Sequence, residues 1–415
     1  MEPFFTNDAI VLGILLTVLA VIFATAGSAK PFWQKFYRYV PALLLCYFVP
    51  ALLNWPLNLI SGDQSQLYFV SSRYLLPACL ILLCLSIDIK GILKLGPKAL
   101  IMFITATFGV IVGGPIALLI TSWLLPGVIG AAPDDIWRGL STVAGSWIGG
   151  GANQTAMKEI FNVDDDLFGT MVVVDVVVAN IWMGFLLYGA SISDRVDRAL
   201  KGDNSAIERL KQSVTEYRAK IERMPTLTTT FVLMAVAFGG TAISHWGSDV
   251  ITPFMMRFES RFEALRLHTL MSDFFWLIVF STTIGLVLSF TKARKLEGVG
   301  ASRWGSIFIY VLVATIGMKM NLGEVFKNLG LFAIGAIWML VHVTILLVVA
   351  KLIRAPFFFV AVGSQANIGG AASAPVVASA FSPALAPVGV LLAVLGYAIG
   401  TYGALICAYL MQAAS

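Results

Sequence analysis

Hydrophobic positions gather into twelve runs along the 415 residues. The first six lie near 9–26, 39–54, 67–87, 99–124, 139–158 and 166–190. The second six lie near 229–245, 271–290, 304–320, 328–351, 356–380 and 387–411. About 20 apolar residues in a helix span the hydrocarbon layer of a bilayer, and most of these runs approach or exceed that length. The pattern predicts an all-α polytopic membrane protein with about 11–13 transmembrane helices.

Two runs, the fifth and the eleventh, are interrupted by glycines and amides. One reads Gly145-Ser146-Trp147-Ile148-Gly149-Gly150-Gly151-Ala152-Asn153-Gln154-Thr155-Ala156. The other reads Gly363-Ser364-Gln365-Ala366-Asn367-Ile368-Gly369-Gly370-Ala371-Ala372-Ser373-Ala374-Pro375. Such residues predict a helix that unwinds at mid-depth. Irregular backbone is tolerated there only where protein buries it or it lines a cavity. One break in each half of a chain points to the binding site of a secondary transporter. The plainer reading is close helix packing through small residues.

The breaks belong to a longer repeat. Ile148-Gly149-Gly150 matches Ile368-Gly369-Gly370, and Gly169 matches Gly389, both at an offset of 220. Basic loops hold Lys30, Lys35 and Arg38, then Lys90, Lys94 and Lys98, in the first copy. In the second copy they run from Lys292 to Arg303 and from Lys351 to Arg354. Read as cytoplasmic, these loops place the two copies in opposite orientation. The expectation is two inverted repeats, each with a discontinuous helix, over 1–190 and 229–415. A hydrophilic linker helix over 191–228 joins them. Twelve full crossings would make the two sets parallel, so either a segment within 191–270 does not cross or a further crossing lies hidden there. Ile207, Leu210, Val214, Tyr217 and Ile221 give the linker one apolar stripe. Met255 to Leu270 alternates charged and apolar residues and reads as an interfacial helix.

Composition narrows the class. The chain is 58% hydrophobic and 12% charged, about half the charge of ordinary soluble domains. The net charge of +5 resides in loops and linker, so no nucleic-acid partner is expected; lipid is the surrounding partner. Cys46, Cys79, Cys84 and Cys407 lie in apolar runs and are expected as buried free thiols. Residues 9–26 lack the flanks of a signal peptide and read as a retained first helix. The expected location is a bacterial-type cytoplasmic (inner) membrane.

Asp175 is the sharpest candidate for chemistry, set in a run of valines from Val172 to Val178. A charged carboxylate at the bilayer centre costs roughly 2.5–3.5 kcal/mol on insertion scales, so its retention suggests use. It would bind Na⁺ or H⁺ together with Asn180 and groups at Gly149 and Asn153. The alternative is a neutral acid bonded to a neighbouring helix. The breaks offer a solute Ser146, Gly150, Gln154 and Thr155 from one side, and Ser364, Gln365, Asn367, Gly369 and Ser373 from the other. Exposed N–H groups at a half-helix start attract anions, which favours an organic anion or amphoteric metabolite. His342 stands alone in an apolar run, either a structural hydrogen-bonding group or a contact for solute or proton. Asp88, Lys319 and Arg73 sit near run ends, where they reach the interface by snorkelling. No zinc spacing, phosphate loop or nucleophilic triad is present. Neither an enzyme nor a cofactor is expected, nor any metal beyond a Na⁺ at Asp175.

These motifs resemble a known family. The run from Gly145 to Asn153, the Gln365–Gly370 run and the hydrophilic centre look like the membrane proteins catalogued as domain of unknown function 819. That family is similar to the cation/proton antiporter and anion transporter superfamily, which includes bile-acid-type sodium symporters. The resemblance implies two crossing discontinuous helices, a mobile core domain and a panel domain that forms a homodimer. Antiporters of that superfamily carry the ion-binding acid, usually as Asn-Asp or Asp-Asp, on the helix after the first break. Asp175 is on the corresponding helix, but Val174 precedes it. They also often place a basic residue on the helix before the second break, where this chain has only His342. The expected function is ion-coupled transport of a small solute by alternating access, as symport or antiport. A transporter-like sensor signalling through 191–225 and a channel are the alternatives.

Overall fold

The computed structural model describes residues 3–40, 42–62, 65–87, 92–93, 95–124, 133–200, 202, 224–264, 268–319, 330–382 and 385–415. In chain order its helices are α1 Asp8–Ala26, α2 Pro31–Tyr39, α3 Ala42–Asn54, α4 Leu67–Leu85, α5 Pro97–Leu124, α6 Pro133–Gly149, α7 Gly151–Ile160, α8 Asp165–Ser191 and α9 Ser193–Leu200. They continue as α10 Leu227–Met256, α11 Glu259–Ala264, α12 Asp273–Ser289, α13 Ala301–Gly317, α14 Gly330–Leu352, α15 Phe357–Ile368, α16 Gly370–Phe381 and α17 Ala386–Ala414. No strand occurs among the described residues.

Each apolar run is helical, and side-chain caps set several starts. Asn7 accepts from the Ala9 N–H at 2.8 Å to open α1, and Asp164 accepts from Asp166 at 2.9 Å to open α8. Thr226 and Thr229 cap α10 reciprocally. Such caps satisfy N–H groups that have no partner inside the helix. Among the described residues, seven helices are long and apolar enough to cross a membrane, or eight if Asp273–Ser289 and the turn Lys292–Val299 count as one span bent by 96°. The remaining runs form helices that are short or interrupted.

Three boundaries differ from the sequence reading. The run near 229–245 becomes a helix that continues to Met256. Thr241, Ser244, Ser248 and Thr252 are buried along that helix, the last two on its extension. Their spacing makes one inward polar stripe, which an apolarity count misses. The predicted interfacial helix from Met255 to Leu270 is not continuous. Its start belongs to α10, α11 is one short helix, and a 3₁₀ turn follows over His268–Met271. The first basic loop contains α2, begun by Pro31 at a position where its missing N–H costs nothing. Most of the predicted linker (203–223), with its whole apolar stripe, and Asp88 lie outside the described residues.

The helices pack in two groups. One contains α1, α3, α4, α10, α12 and α13; the other contains α5 to α8 and α14 to α17. Contacts between the groups come chiefly from α17 and α7 against α4 and α12, with α8 touching α3. All four cysteines are buried free thiols, as expected.

Candidate functional site

In each glycine-rich run one helix ends and the next begins. Helix α6 ends at Gly149 and α7 starts at Gly151; Gly150 between them has φ 78°. Helix α15 ends at Ile368 and α16 starts at Gly370, whose φ is 59°. The two left-handed glycines are themselves 220 positions apart, matching the sequence repeat. Side chains with a Cβ rarely adopt that conformation, so each break depends on its glycine.

The breaks meet at α17. A Cβ placed on Gly396 would lie 2.7 Å from the Ile148 carbonyl oxygen and 3.7 Å from that of Ala366. One residue of each broken helix therefore approaches the same point on α17. Nearby, the backbones of Gly149 and Gly400 touch; a Cβ on Gly149 would come within 2.7 Å of the Gly400 Cα.

Asp175 binds both sides of the first break. Its carboxylate accepts from Ser146 Oγ at 2.6 Å, from Trp147 Nε1 at 2.7 Å and from Gln154 Nε2 at 3.1 Å. Ser146 and Trp147 precede the break, and Gln154 follows it. Asp175 is only 4% exposed, so these three bonds replace much of its lost hydration. Ser146 and Gln154, expected to serve a solute, instead hold the acid. Trp147 was missed, because nothing in an apolar run distinguishes an indole N–H that bonds from one that only packs.

The other expected ion and solute ligands near this break bond elsewhere. Asn180 donates to the Val176 carbonyl of its own helix at 2.7 Å, and Thr155 Oγ1 donates to Gly151 at 2.9 Å. Asn153 clamps the break to α17. Its Nδ2 donates to the Gly149 carbonyl at 2.9 Å and to that of Tyr397 at 3.2 Å, while Oδ1 accepts from Thr401 Oγ1 at 2.6 Å. Asn367 repeats this arrangement against α5. It donates to Gly363 at 3.0 Å and Phe103 at 3.2 Å, and accepts from Thr107 at 2.8 Å. In both clamps the neighbouring helix supplies a carbonyl and, four residues later, a threonine hydroxyl. Thr107 and Thr401 carry no sequence signal beyond an aromatic residue four places before each.

His342 Nε2 pairs with Ser364, while His342 Nδ1 is buried without a hydrogen-bond partner among the described residues. Ser364 Oγ accepts from Trp182 Nε1 at 2.8 Å and lies 2.8 Å from His342 Nε2. All three groups are held inside the second helix group, which favours the structural reading of His342. Gln365 Nε2 donates to Ser373 Oγ at 2.7 Å, but the Gln365 Oε1 atom is buried without a partner among the described residues.

A charged cluster lies at the far end of α7. Lys158 Nζ is 2.8 Å from Asp165, Lys319 Nζ is 2.8 Å from the other oxygen of Asp165, and Arg73 is 2.9 Å from Glu159. The Tyr68 hydroxyl bonds to Glu159 and accepts from Lys158 at 3.2 Å. Arg73 and Tyr68 belong to α4, and Lys319 follows α13; Lys158, Glu159 and Asp165 belong to the opposite group. The cluster thus ties the two groups of helices together. Arg73 and Lys319 do not act as lone snorkelling charges. The signal for the partner of Arg73 was the pair Lys158-Glu159 at the edge of an apolar run.

Compared with known proteins, residues 13–414 match the family model described as Protein of unknown function (DUF819). The chain belongs to this family. The DUF819 chain is also similar to the uncharacterized membrane protein YjcL of Bacillus subtilis (strain 168). The two are 22% identical over 357 residues, covering 82% of each chain.

Proposed function

We propose that this DUF819 protein is an ion-coupled secondary transporter of a small solute, working by alternating access in a cytoplasmic membrane. The reading rests on one observation: a buried carboxylate bonded to both sides of one helix break, with the second break meeting the first at α17. Asp175 would carry H⁺ or Na⁺. A change in its charge would loosen or tighten Ser146, Trp147 and Gln154, and so alter the geometry of the break. The repeat offset shared by the breaks supports an origin as two copies, with inverted orientation as the proposed arrangement. The two helix groups would be the moving and static parts, and the Arg73–Glu159–Lys158–Asp165–Lys319 cluster is where they would separate.

The test is ion flux into proteoliposomes, with pH dye or labelled Na⁺, in the presence of a mixture of small metabolites. Wild type is expected to show a flux that Asp175→Asn abolishes. An undiminished flux in the variant would remove Asp175 from the mechanism.

One observation favours a sensor as the second reading. Asp197, on α9 at the start of the linker, accepts from the Phe357 N–H at 2.7 Å and so caps α15. Deleting the linker would then abolish signalling while leaving ligand binding intact.

A further inference from the structure

The second break contains polar groups that the fold does not use. Gln365 is 1% exposed, and its Oε1 has no hydrogen-bond partner among the described residues. Its amide lies against the Cα of Gly369, inside the break. Turning the amide over would move the deficit to the nitrogen without removing it. Ser373 Oγ accepts from Gln365, and its own proton has no acceptor among the described residues. Helix α16 starts here with no side chain capping it, so first-turn N–H groups face the same place. Gly370 is buried, yet a Cβ built on it would meet nothing within 4 Å. Gly369, Ala371 and Ser373 beside it are partly exposed, so the space communicates with the outside.

These groups define complementary chemistry. The N–H groups of α16 and the Ser373 hydroxyl are donors and call for an acceptor, best a carboxylate at the positive end of a helix. The Gln365 oxygen is an acceptor and calls for a donor. A halide or simple carboxylate would leave that oxygen facing a negative charge. An amine alone would leave the donors unfilled. We propose that the second break binds a small acid carrying an adjacent ammonium or hydroxyl, an α-amino or α-hydroxy acid. This rests on the transporter reading of the breaks and names the solute class. The carboxylate sits on the start of α16 and Ser373, and the ammonium or hydroxyl donates to Gln365. An anion is directed to this break, because Asp175 holds the negative charge at the other. A hydroxyl serves either orientation of the amide; an ammonium serves only the one described.

The experiment measures binding, so it stands apart from ion flux and from the fate of Asp175. The purified full-length chain is screened by thermal shift against a panel of free α-amino and α-hydroxy acids. Each is matched with its deaminated or dehydroxylated acid and its decarboxylated amine or alcohol, and NaCl alone is included. At least one panel member is expected to raise the melting temperature where both of its fragments do not. Gln365→Leu and Ser373→Ala should each weaken that binding about tenfold or more, the loss of a hydrogen bond to a charged group. Gln365→Leu should leave the melting temperature without ligand nearly unchanged, which separates lost binding from lost folding. Stabilisation by fragments or Na⁺ alone, no stabilisation by any panel member, or full binding by both variants would each overturn the proposal.

Discussion

The two breaks share a glycine pattern, a left-handed residue and an asparagine clamp, yet they are built for different ends. At the first, the charged group is fully engaged: Asp175 accepts three bonds that straddle the interruption. At the second, no charged side chain is bonded among the described residues, and Gln365 Oε1 has no partner. One break is organised around a charge and the other around a space. The clamps are the shared part. Asn153 follows its left-handed glycine by three residues and Asn367 precedes its own by three, so they are not repeat mates. Both nevertheless bond to a carbonyl and a threonine one turn apart on a long helix. The common requirement is to fasten a broken helix to an unbroken one without water.

The contrast is easiest to break at Asp175. Asp175→Ala would leave three buried donors without an acceptor, at roughly 1–3 kcal/mol for each. The expected outcome is the largest drop in thermal stability of the detergent-purified protein, several kcal/mol in sum. Asp175→Asn keeps one carbonyl oxygen and should cost distinctly less. Equal and small losses would mean that the first break is not held by its carboxylate.

Next in size are the clamps. Asn153→Ala and Asn367→Ala each remove an acceptor from a buried threonine and donors from two carbonyls, an expected loss of about 2 kcal/mol apiece. Similar melting-point shifts would support equivalent clamps, whereas a loss confined to one would show that the likeness is only geometric.

The smallest effect concerns the glycines. Gly370→Ala meets open space, so only its backbone conformation opposes the change, by roughly 1–2 kcal/mol. Gly150→Ala meets Tyr397 at an ordinary 3.6 Å and should cost about the same. Gly149→Ala, which collides with Asn153 and Gly400, is expected to exceed both. A harmless Gly370→Ala in the same stability assay would show that the second break does not need its left-handed turn.

The sequence exposed the breaks because glycines and amides are conspicuous among leucines and valines. It also exposed Asp175, because a carboxylate there is costly. It did not reveal who bonds to whom. Ser146 and Gln154 looked like solute ligands, and Asn180 like an ion ligand, since a one-dimensional pattern places them all near the acid. Helical spacing alone cannot tell a side chain that turns back to its own carbonyl, as Asn180 does, from one that crosses to another helix. The charged cluster was half visible: Arg73 and Lys319 stood out singly, but their partners come from segments more than eighty positions away.

What the amino-acid order determined by itself is local: apolar runs that must be helical in lipid, glycines that permit left-handed turns, and a repeat offset carried through both. Only the tertiary structure decided which polar groups are spent and which are left over. Hydrogen-bond partners are set by three-dimensional proximity. The convergence of Ile148 and Ala366 on Gly396 exists only once α17 has packed against both broken helices, and three donors surround Asp175 only once α8 has packed against α6 and α7.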